Sequence, residues 1–280
     1  MPNEPLRILV IGAHPDDCDI KCGGVAARYA DAGHAVCFLS VTNGDAGHHE
    51  VGGIELARRR RAEAEAAGRV IGIDYQVLDF HDAELMPDLH TRKVIIRFIR
   101  NFNPDLVLTH RPNDYHPDHR YTSLLVQDAS YLITVPNVCT DTPAMKAMPV
   151  IAYSEDSFKR PYPFTPDVAV GVDDVMDKKV EMLHQHTSQM YEWLAWLGDR
   201  LGEVPADEEG RRAWLRKRFA GDQFFSGRFQ RSANRYRDLL VKLYGPDRGN
   251  AIQCAEAFEL CEYGRQPDEA ELRRLFPFFD

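Results

Sequence analysis

The 280-residue sequence has no CxxC pair among its six cysteines and no apolar run that approaches the length of a membrane span. A chain of this length can bury a large core without disulfides, so the scattered cysteines indicate reduced thiols. The start, MPNEPLRILVIG, carries an acidic residue and too short an apolar run for a signal peptide. The sequence therefore predicts a soluble, cytoplasmic protein without a membrane partner.

The sequence also lacks a concentrated positive surface, because its formal net charge is -9. Its two basic stretches, ARRRRAEAEAAGR and RRAWLRKR, alternate charged and apolar residues at helical spacing. This pattern is typical of amphipathic helices rather than of arms that bind phosphates. We expect no nucleic-acid partner.

What is present is an alternation of apolar runs and helical patterns in the first half of the chain. Continuous apolar runs predict buried strands at 7–12, 35–44, 75–80 and 104–110. The intervening patterns predict helices at 23–34, 53–73 and 89–102. This alternation predicts an α/β fold with a Rossmann-like, doubly wound, mainly parallel sheet. A dinucleotide site is not expected, because Gly12 follows the first strand without a GxGxxG motif.

Beyond residue 120 the pattern weakens. We predict a further helix, two strands, and a long continuous helix that begins with capping aspartates, at 122–134, 149–154, 167–172 and 173–197. Residues 198–250 remain unassigned. We place a Rossmann-like catalytic core at 1–172 and a C-terminal helical and β extension, packed on that core as one catalytic unit, at 173–280.

Polar residues follow each of the first four predicted strands. They are the segments 14–17, 43–45, 79–82 and 110–119. In doubly wound sheets, ligands bind outside the carboxyl ends of the strands. These four segments are therefore expected to converge on one functional site.

The first of these segments reads His14-Pro15-Asp16-Asp17. In a loop at a strand end, His14 and Asp17 can face one ion while Asp16 faces the space beside it. A divalent cation also relieves the repulsion between two adjacent carboxylates. The alternative is that the two aspartates only cap a helix that begins near Cys22.

The second segment, HRPNDYHPDHR at 110–120, carries three histidines and two aspartates. If a helix begins near Pro117, His116 and His119 share one side of it, at a spacing that suits two ligands or a ligand and a catalytic imidazole. The alternative, a solvated histidine-rich loop, is less favoured because the segment directly follows an apolar strand.

Together, His14, Asp17 and His119 form a set of two histidines and one carboxylate that leaves coordination positions open. Such open sites are typical of catalytic zinc, whereas structural zinc sites are closed by four protein ligands. Iron(II) oxygenases use the same ligand types, so Fe²⁺ is the alternative to Zn²⁺. The spare carboxylate of Asp16 favours hydrolysis, which needs a base beside activated water.

AHPDD at 13–17, GG at 23–24 and HPDH at 116–119 together resemble the LmbE-like or PIG-L family of zinc-dependent N-deacetylases, which act on N-acetylglucosaminyl compounds. The resemblance continues in order along most of the chain, through SVTNGDAG (40–47), RRAEA (60–64), HQHTSQ (184–189) and CAEAF (254–258). It implies that the protein removes an N-acetyl group from an amino-sugar conjugate. Family members often form oligomers, so a homo-oligomer is expected.

The resemblance also implies catalytic roles for individual residues. Zinc would be held by the two histidines and the carboxylate named above, with Asp16 as the general base. His116 would be the imidazolium that stabilises the oxyanion, and Asp118 would orient His116.

Substrate contacts follow from the same resemblance. Arg60 would lie near the substrate, and Asp114 would lie at the rim where sugar hydroxyls bind. His186 would line the pocket, with a surface position as the alternative. The chain differs from the family in having Cys18 after AHPDD and Asp45 where glutamate is common. Asp45 is expected to reshape contacts with the substrate.

Two other interpretations explain part of this pattern. A non-haem iron oxygenase would use the same ligands, and a non-catalytic, metal-containing carbohydrate-binding protein would leave Asp16 and His116 without a role. Aromatic residues at 191–214 are interpreted as core or subunit contacts, with a platform for a sugar or aglycone as the alternative. Loops at 43–55, 81–90 and 134–165 are expected to determine the substrate.

Overall fold

The computed structural model describes residues 4–220 and 233–279. Seven strands form one sheet in the order β3-β2-β1-β4-β5-β7-β6. Their bounds are β1 (Arg7–Gly12), β2 (Ala35–Thr42), β3 (Asp74–Phe80), β4 (Leu106–Thr109), β5 (Val150–Ser154), β6 (Val168–Gly171) and β7 (Ala255–Leu260). All pairs among β1 to β5 are parallel, and β7 runs antiparallel to β5 and β6. The predicted α/β, mainly parallel sheet is confirmed.

The helices lie on the two faces of this sheet. Their bounds are α1 (Asp17–Asp31), α2 (Gly53–Ile71), α3 (Leu89–Phe102), α4 (Pro117–Leu132), α5 (Met176–Gln185), α6 (Leu194–Leu197), α7 (Glu208–Ala220), α8 (Arg237–Tyr244), α9 (Pro246–Ala251) and α10 (Glu269–Leu275). Two apolar cores result, one on each face of the sheet. Within the described residues, no helix combines the length and the apolar character that a membrane crossing requires.

The predicted strands agree with the structure to within two residues at each end, and α3 has the predicted bounds. The central strands are buried on both faces, which explains why their apolar runs are continuous. Strands β1 and β4 are adjacent in the sheet. The chain continues from β1 to β2, towards one edge of the sheet, and from β4 to β5, towards the other edge. The carboxyl ends of β1 and β4 therefore form the crevice in which doubly wound folds bind ligands.

Helix α1 corrects the prediction of a helix at 23–34, because it begins at Asp17 and ends at Asp31. Asp16 occupies the N-cap position with φ 152°, a conformation that costs energy for a residue with a side chain. Its side chain makes no capping hydrogen bond. The alternative in which the aspartates only cap a helix near Cys22 is therefore wrong.

The continuous helix predicted at 173–197 is also wrong. Helix α5 ends at Gln185, and a π-helical segment, Ser188–Trp193, follows before α6. Glu63 of α2 stabilises the start of this π-helical segment, because its carboxylate accepts the N–H of Ser188 at 2.9 Å. The predicted capping aspartate Asp173 makes no helix cap and instead accepts the N–H of Cys254 at 3.0 Å.

The C-terminal strand β7 is joined to α1 by a buried carboxylate. Glu256 accepts the N–H groups of Gly24 at 2.9 Å and Val25 at 2.8 Å, and Lys179 of α5 lies 2.5 Å from the same carboxylate. A Cβ atom on Gly24 would lie 2.8 Å from Val172 and 2.9 Å from Glu256. Gly24 is therefore needed for close packing of α1 against the sheet. The predicted boundary at residue 172 stays a prediction, and β7 lies within the same sheet as β1 to β5.

Replacing Gly24 with alanine is expected to destabilise the protein by about 1–3 kcal/mol, the usual cost of overpacking. Elsewhere in a helix the same change usually stabilises, because glycine loses more backbone entropy on folding. Urea unfolding of Gly24→Ala measures the effect. Gly202→Ala is the matched control, because a Cβ at Gly202 has nothing within 4 Å. Unchanged or increased stability of Gly24→Ala would contradict the packing argument.

Candidate metal centre

The predicted ligand residues meet at the carboxyl ends of β1 and β4. His14 follows β1 directly, Asp17 is the first residue of α1, and His119 lies in the first turn of α4. All three are buried. Helix α4 begins at Pro117, five residues before the helix predicted at 122–134, and this start meets the condition under which His116 and His119 share one side. The structure thus brings together two segments separated by about a hundred residues.

Three donor atoms of these residues form a nearly equilateral triangle. His14 Nδ1 lies 3.2 Å from Asp17 Oδ2 and 3.2 Å from His119 Nε2, and His119 Nε2 lies 3.4 Å from Asp17 Oδ2. Ligands bound tetrahedrally at the usual zinc distances of 2.0–2.1 Å are about 3.3–3.4 Å apart. The side chains present therefore fit a metal ion such as zinc without rearrangement.

The charged groups around His14, Asp17 and His119 favour a cation at the triangle. Burial opposes ionisation of Asp17, but the imidazoles of His119 and His110 outweigh it and hold the pKa of that carboxyl well below its usual range. Burial likewise lowers the pKa of His14, yet hydrogen bonds to Asp118, Asp17 and Asp82 raise it well above its ordinary value. The cluster thus stabilises positive charge at the point where the three donor atoms meet.

Each predicted histidine ligand has a buried carboxylate on its other ring nitrogen. His14 Nε2 lies 3.1 Å from Asp82 Oδ1 and 3.3 Å from Asp118 Oδ2, and His119 Nδ1 lies 3.1 Å from Asp114 Oδ1. Such carboxylates fix the tautomer and ring orientation of metal-binding histidines. This arrangement favours a metal site over the alternative of a solvated histidine-rich loop.

These contacts correct one predicted role and extend another. The Asp118 carboxylate approaches His14, not His116, because Asp118 lies in the first turn of α4 and only its backbone N–H reaches His116 Nδ1, at 3.2 Å. Asp114 lines the cavity as predicted for a rim residue, but its carboxylate contacts His119. Asp82, which the sequence placed only within a polar segment, is a second partner of His14.

Asp16 points its carboxylate toward the cavity beside the triangle. Its Oδ1 lies 3.4 Å from the guanidinium of Arg60. Burial raises the pKa of Asp16 to about 6, although the Arg60 charge acts in the opposite direction. A carboxylate with this pKa is suited to accept a proton near neutral pH.

His116 lines the same cavity and forms the N-cap of α4. Its Nδ1 accepts the N–H of Asp118, so a neutral ring carries its proton on Nε2. Burial and the neighbouring His14 and His119 lower the pKa of His116. Both effects favour the neutral ring, which can donate from Nε2, and the imidazolium expected at His116 stays a prediction.

The predicted substrate residues occupy different positions. Arg60 is buried, lines the cavity, and donates to the carbonyls of Pro15 at 3.0 Å and Gly44 at 3.1 Å, so much of its hydrogen-bonding capacity is directed at the protein. The Asp45 carboxylate accepts from the N–H of Asp82 at 3.0 Å and does not line the cavity. Its observed contacts brace the loops after β2 and β3.

His186 is also absent from the cavity lining and is fully buried. Its Nε2 lies 3.0 Å from the carboxylate of Asp19, behind the site. This placement corrects both alternatives for His186, the pocket wall and the surface. Cys18, which differs from the family pattern, lies with its Sγ 3.6 Å from the carbonyl of Val10, and burial keeps it protonated by raising its pKa.

The cavity above the triangle has a volume of about 790 Å³. Loops from all three segments predicted to determine the substrate contribute to it, through Gly47, Ala83 and Phe158. Residues 189–197 contribute a further wall, and it includes Trp193, one of the aromatic residues for which a platform for a sugar or aglycone was the alternative interpretation.

His110 is another neighbour to which the sequence assigned no role. Its ring stacks on His119 with centroids 4.2 Å apart, and its Nε2 accepts the N–H of Ala13. Its position directly after β4, within the polar segment 110–119, was the signal that could have identified it.

Replacing Asp114 with asparagine is expected to weaken zinc binding by about 10–100-fold, the usual effect of losing a carboxylate behind a histidine ligand. The asparagine amide has a similar size but no charge, so it cannot hold His119 electrostatically. The His119 nitrogen that faces the metal site therefore becomes less basic. Competition with a chromogenic chelator measures the change. Asp79→Asn is the control because the Asp79 side chain is 86% exposed on β3. Equal zinc affinity in Asp114→Asn and the control would contradict this role.

Comparisons with known proteins indicate the family to which the chain belongs. The family model PIG-L, described as GlcNAc-PI de-N-acetylase, matches residues 9–130. A diacetylchitobiose deacetylase of Thermococcus kodakarensis is 33% identical over 69% of this chain and 74% of its own length. A 4-oxalmesaconate hydratase of Pseudomonas putida is 26% identical over 66% of this chain and 74% of its own length.

The fold is shared with a solved N,N'-diacetylchitobiose deacetylase from Pyrococcus horikoshii. The TM-score is 0.67 at 24% identity, over 93% of this chain and 85% of the other. The matched family segment contains all three donors of the triangle, as well as Asp16 and His116. The chain therefore belongs to the PIG-L family, in which its relatives include deacetylases of N-acetylglucosamine-type compounds.

Proposed function

We propose that the protein is a zinc-dependent N-deacetylase that removes the acetyl group from an N-acetylglucosaminyl-type conjugate. The observation that carries this proposal is the triangle of His14, Asp17 and His119 with a carboxylate of raised pKa, Asp16, beside it. The three residues would hold the ion, and Asp16 would remain available for proton transfer.

The chemistry divides between the ion and the protein. A bound zinc ion supplies a Lewis acid and brings the pKa of water toward about 7. Asp16 takes the proton of the water that attacks the acetyl carbonyl, and Arg60 keeps the carboxylate in place from 3.4 Å. His116 donates from Nε2 to the oxygen on which negative charge develops. The C–N bond then breaks, and the proton held by Asp16 passes to the leaving amine.

The alternatives account for fewer of these features. An oxygenase or a carbohydrate-binding protein would use the triangle but not the pair of Asp16 and His116. A hydratase acting on a carboxylate substrate would need cationic groups to bind it. Among the described residues that line the cavity, the six carboxylates outnumber the three permanently cationic side chains, and three histidines complete the titratable set. The carboxylates are Asp16, Asp17, Asp82, Asp114, Glu155 and Asp156, the cations are Lys21, Arg60 and Arg235, and the histidines are His14, His116 and His119.

The proposal is tested with zinc-loaded protein and a panel of N-acetylglucosamine conjugates, assayed for free amine and acetate. Equal amounts of amine and acetate are expected from at least one conjugate. Fe²⁺-loaded protein and 4-oxalmesaconate are assayed in parallel. Release of no amine from any conjugate, or hydration of 4-oxalmesaconate as the main activity, would overturn the proposal. The predicted homo-oligomer and cytoplasmic location stay predictions.

A further inference from the structure

One wall of the cavity is apolar and lies outside the metal-binding segments. The π-helical segment and α6 contribute Trp193, Leu194 and Leu197 to it. Tyr115, after β4, and Phe158, after β5, line the same cavity, with ring centroids 6.3 Å apart. None of these five side chains has a role in the hydrolysis described above.

Two of these five side chains leave much apolar surface open to solvent. Leu197 is 49% exposed and Tyr115 is 72% exposed. Exposed apolar groups that line a concave cavity together are typical of a ligand site, and burial of such surface favours binding.

Contacts with other elements hold this wall in place. The Trp193 ring stacks on Trp196 with centroids 5.3 Å apart, and Trp196 stacks on His49 of the loop after β2. Glu192, next to Trp193, forms a two-pronged contact with Arg59 of α2, at 2.5 and 2.7 Å. A wall fixed in this way needs little reordering when a ligand binds.

The charged residues of the cavity lining argue against an anionic aglycone. Lys21 Nζ donates to the carbonyl of Glu155 at 3.1 Å, and Arg235 lies 3.7 Å from the carboxylate of Glu155. Both lie against a residue that itself lines the cavity with a carboxylate. Among the described residues that line the cavity, six are aspartate or glutamate and three are lysine or arginine, so an anionic aglycone would meet more carboxylates than permanent cations.

We propose that the cavity wall formed by Trp193, Leu194, Leu197, Tyr115 and Phe158 selects substrates in which the amino sugar carries an uncharged alkyl or aromatic aglycone. This inference rests on the proposed deacetylation for its substrate, but the wall binds the aglycone and not the acetamide. The cavity of about 790 Å³ is within the range of sites that enclose a whole small ligand of drug-like size.

The test compares methyl, hexyl, phenyl and 3-carboxypropyl N-acetylglucosaminides. With zinc-loaded protein, kcat/KM for the hexyl and phenyl glycosides is expected to exceed that for the methyl glycoside by about tenfold or more, mainly through KM. The carboxypropyl glycoside should be no better than the methyl glycoside. Leu197→Ser should lower the hexyl-to-methyl ratio at least about threefold, since it removes part of the buried contact.

Leu201→Ser is the matched control, because Leu201 is 44% exposed and does not line the cavity. It should keep the wild-type ratio. Equal kcat/KM for the methyl and hexyl glycosides, or an unchanged ratio in Leu197→Ser, would overturn the inference.

Binding is measured separately, by calorimetry with zinc-loaded Asp16→Asn protein, so that the result does not depend on turnover. Tighter binding of hexyl than of methyl glycoside, reduced by Leu197→Ser, supports the aglycone wall even if no amine is released. That combination would contradict the deacetylase proposal alone. Equal binding of the two glycosides would contradict the wall.

Discussion

Replacing Asp16 with asparagine is expected to lower kcat by about 10²–10⁴-fold, the usual contribution of a general base. An amide has nearly the same shape as the carboxylate but cannot take a proton from water. Bound zinc should remain, because Asp16 lies outside the triangle of donor atoms and its carboxylate contacts Arg60. The measurement combines steady-state kinetics with metal analysis of the same sample.

The pH profile separates this role from a structural one. Protonated Asp16 cannot act as a base, so kcat should fall as the pH drops through the pKa of Asp16. Burial raises that pKa to about 6, and the nearby metal cation lowers it, so the acid limb should lie at or below about pH 6. Residual activity of Asp16→Asn should lack this limb. A kcat within threefold of wild type, or an unchanged acid limb, would exclude Asp16 as the base.

Replacing Asp17 with asparagine is expected to abolish metal binding as well as turnover. Asp17 Oδ2 is one corner of the triangle, and it also accepts the N–H groups of Ala13 at 3.1 Å and His14 at 2.8 Å. An asparagine oxygen can still accept these two hydrogen bonds, so the loop should fold while the ligand loses its charge. Loss of a residue that only hydrogen-bonds to a metal ligand usually lowers metal affinity by up to about 100-fold. Because Asp17 is itself a ligand, we expect zinc affinity to fall by more than that.

Chelator competition measures this affinity, and thermal unfolding with and without zinc provides a second readout. Zinc should raise the Tm of the wild type and of the Asp79→Asn control, because a ligand that binds only the folded state stabilises it. It should leave the Tm of Asp17→Asn nearly unchanged. Wild-type zinc affinity in Asp17→Asn would remove this residue from the ligand set.

Much of the fold could be predicted because its central strands are buried on both faces. Their apolar runs are continuous, so their positions follow from the sequence, and their alternation with helices predicts a mainly parallel sheet. The start of α1 was placed six residues late, because Gly23 and Gly24 look like the beginning of a helix. Their reason for being there is tertiary, since Gly24 packs against Val172 and Glu256.

The break after α5 could not be predicted for a similar reason. His186 pairs with Asp19, and Glu63 accepts hydrogen bonds from the segment that follows. Those partners lie in α1 and α2, far along the chain. Helical periodicity depends only on the local spacing of apolar residues, so it predicts α5 and the segment after it as one helix.

Within the site, the sequence predicted which residues converge but not all of their contacts. His14, Asp17 and His119 meet because they lie at the ends of adjacent parallel strands. The family resemblance implies that Asp118 orients His116, yet the start of α4 directs the Asp118 carboxylate to His14. Carboxylates that pair across elements, such as Asp82, leave no spacing pattern in one chain.

The most direct test of the account is deacetylation measured as a function of zinc added to chelator-treated protein. Acetate and free amine should be absent without metal, rise together with added zinc, and reach a plateau at one zinc per chain, the number that the triangle of His14, Asp17 and His119 can hold. Full activity in the metal-free protein, or acetate release that does not respond to zinc, would contradict the assignment of this site as the metal centre of an N-deacetylase.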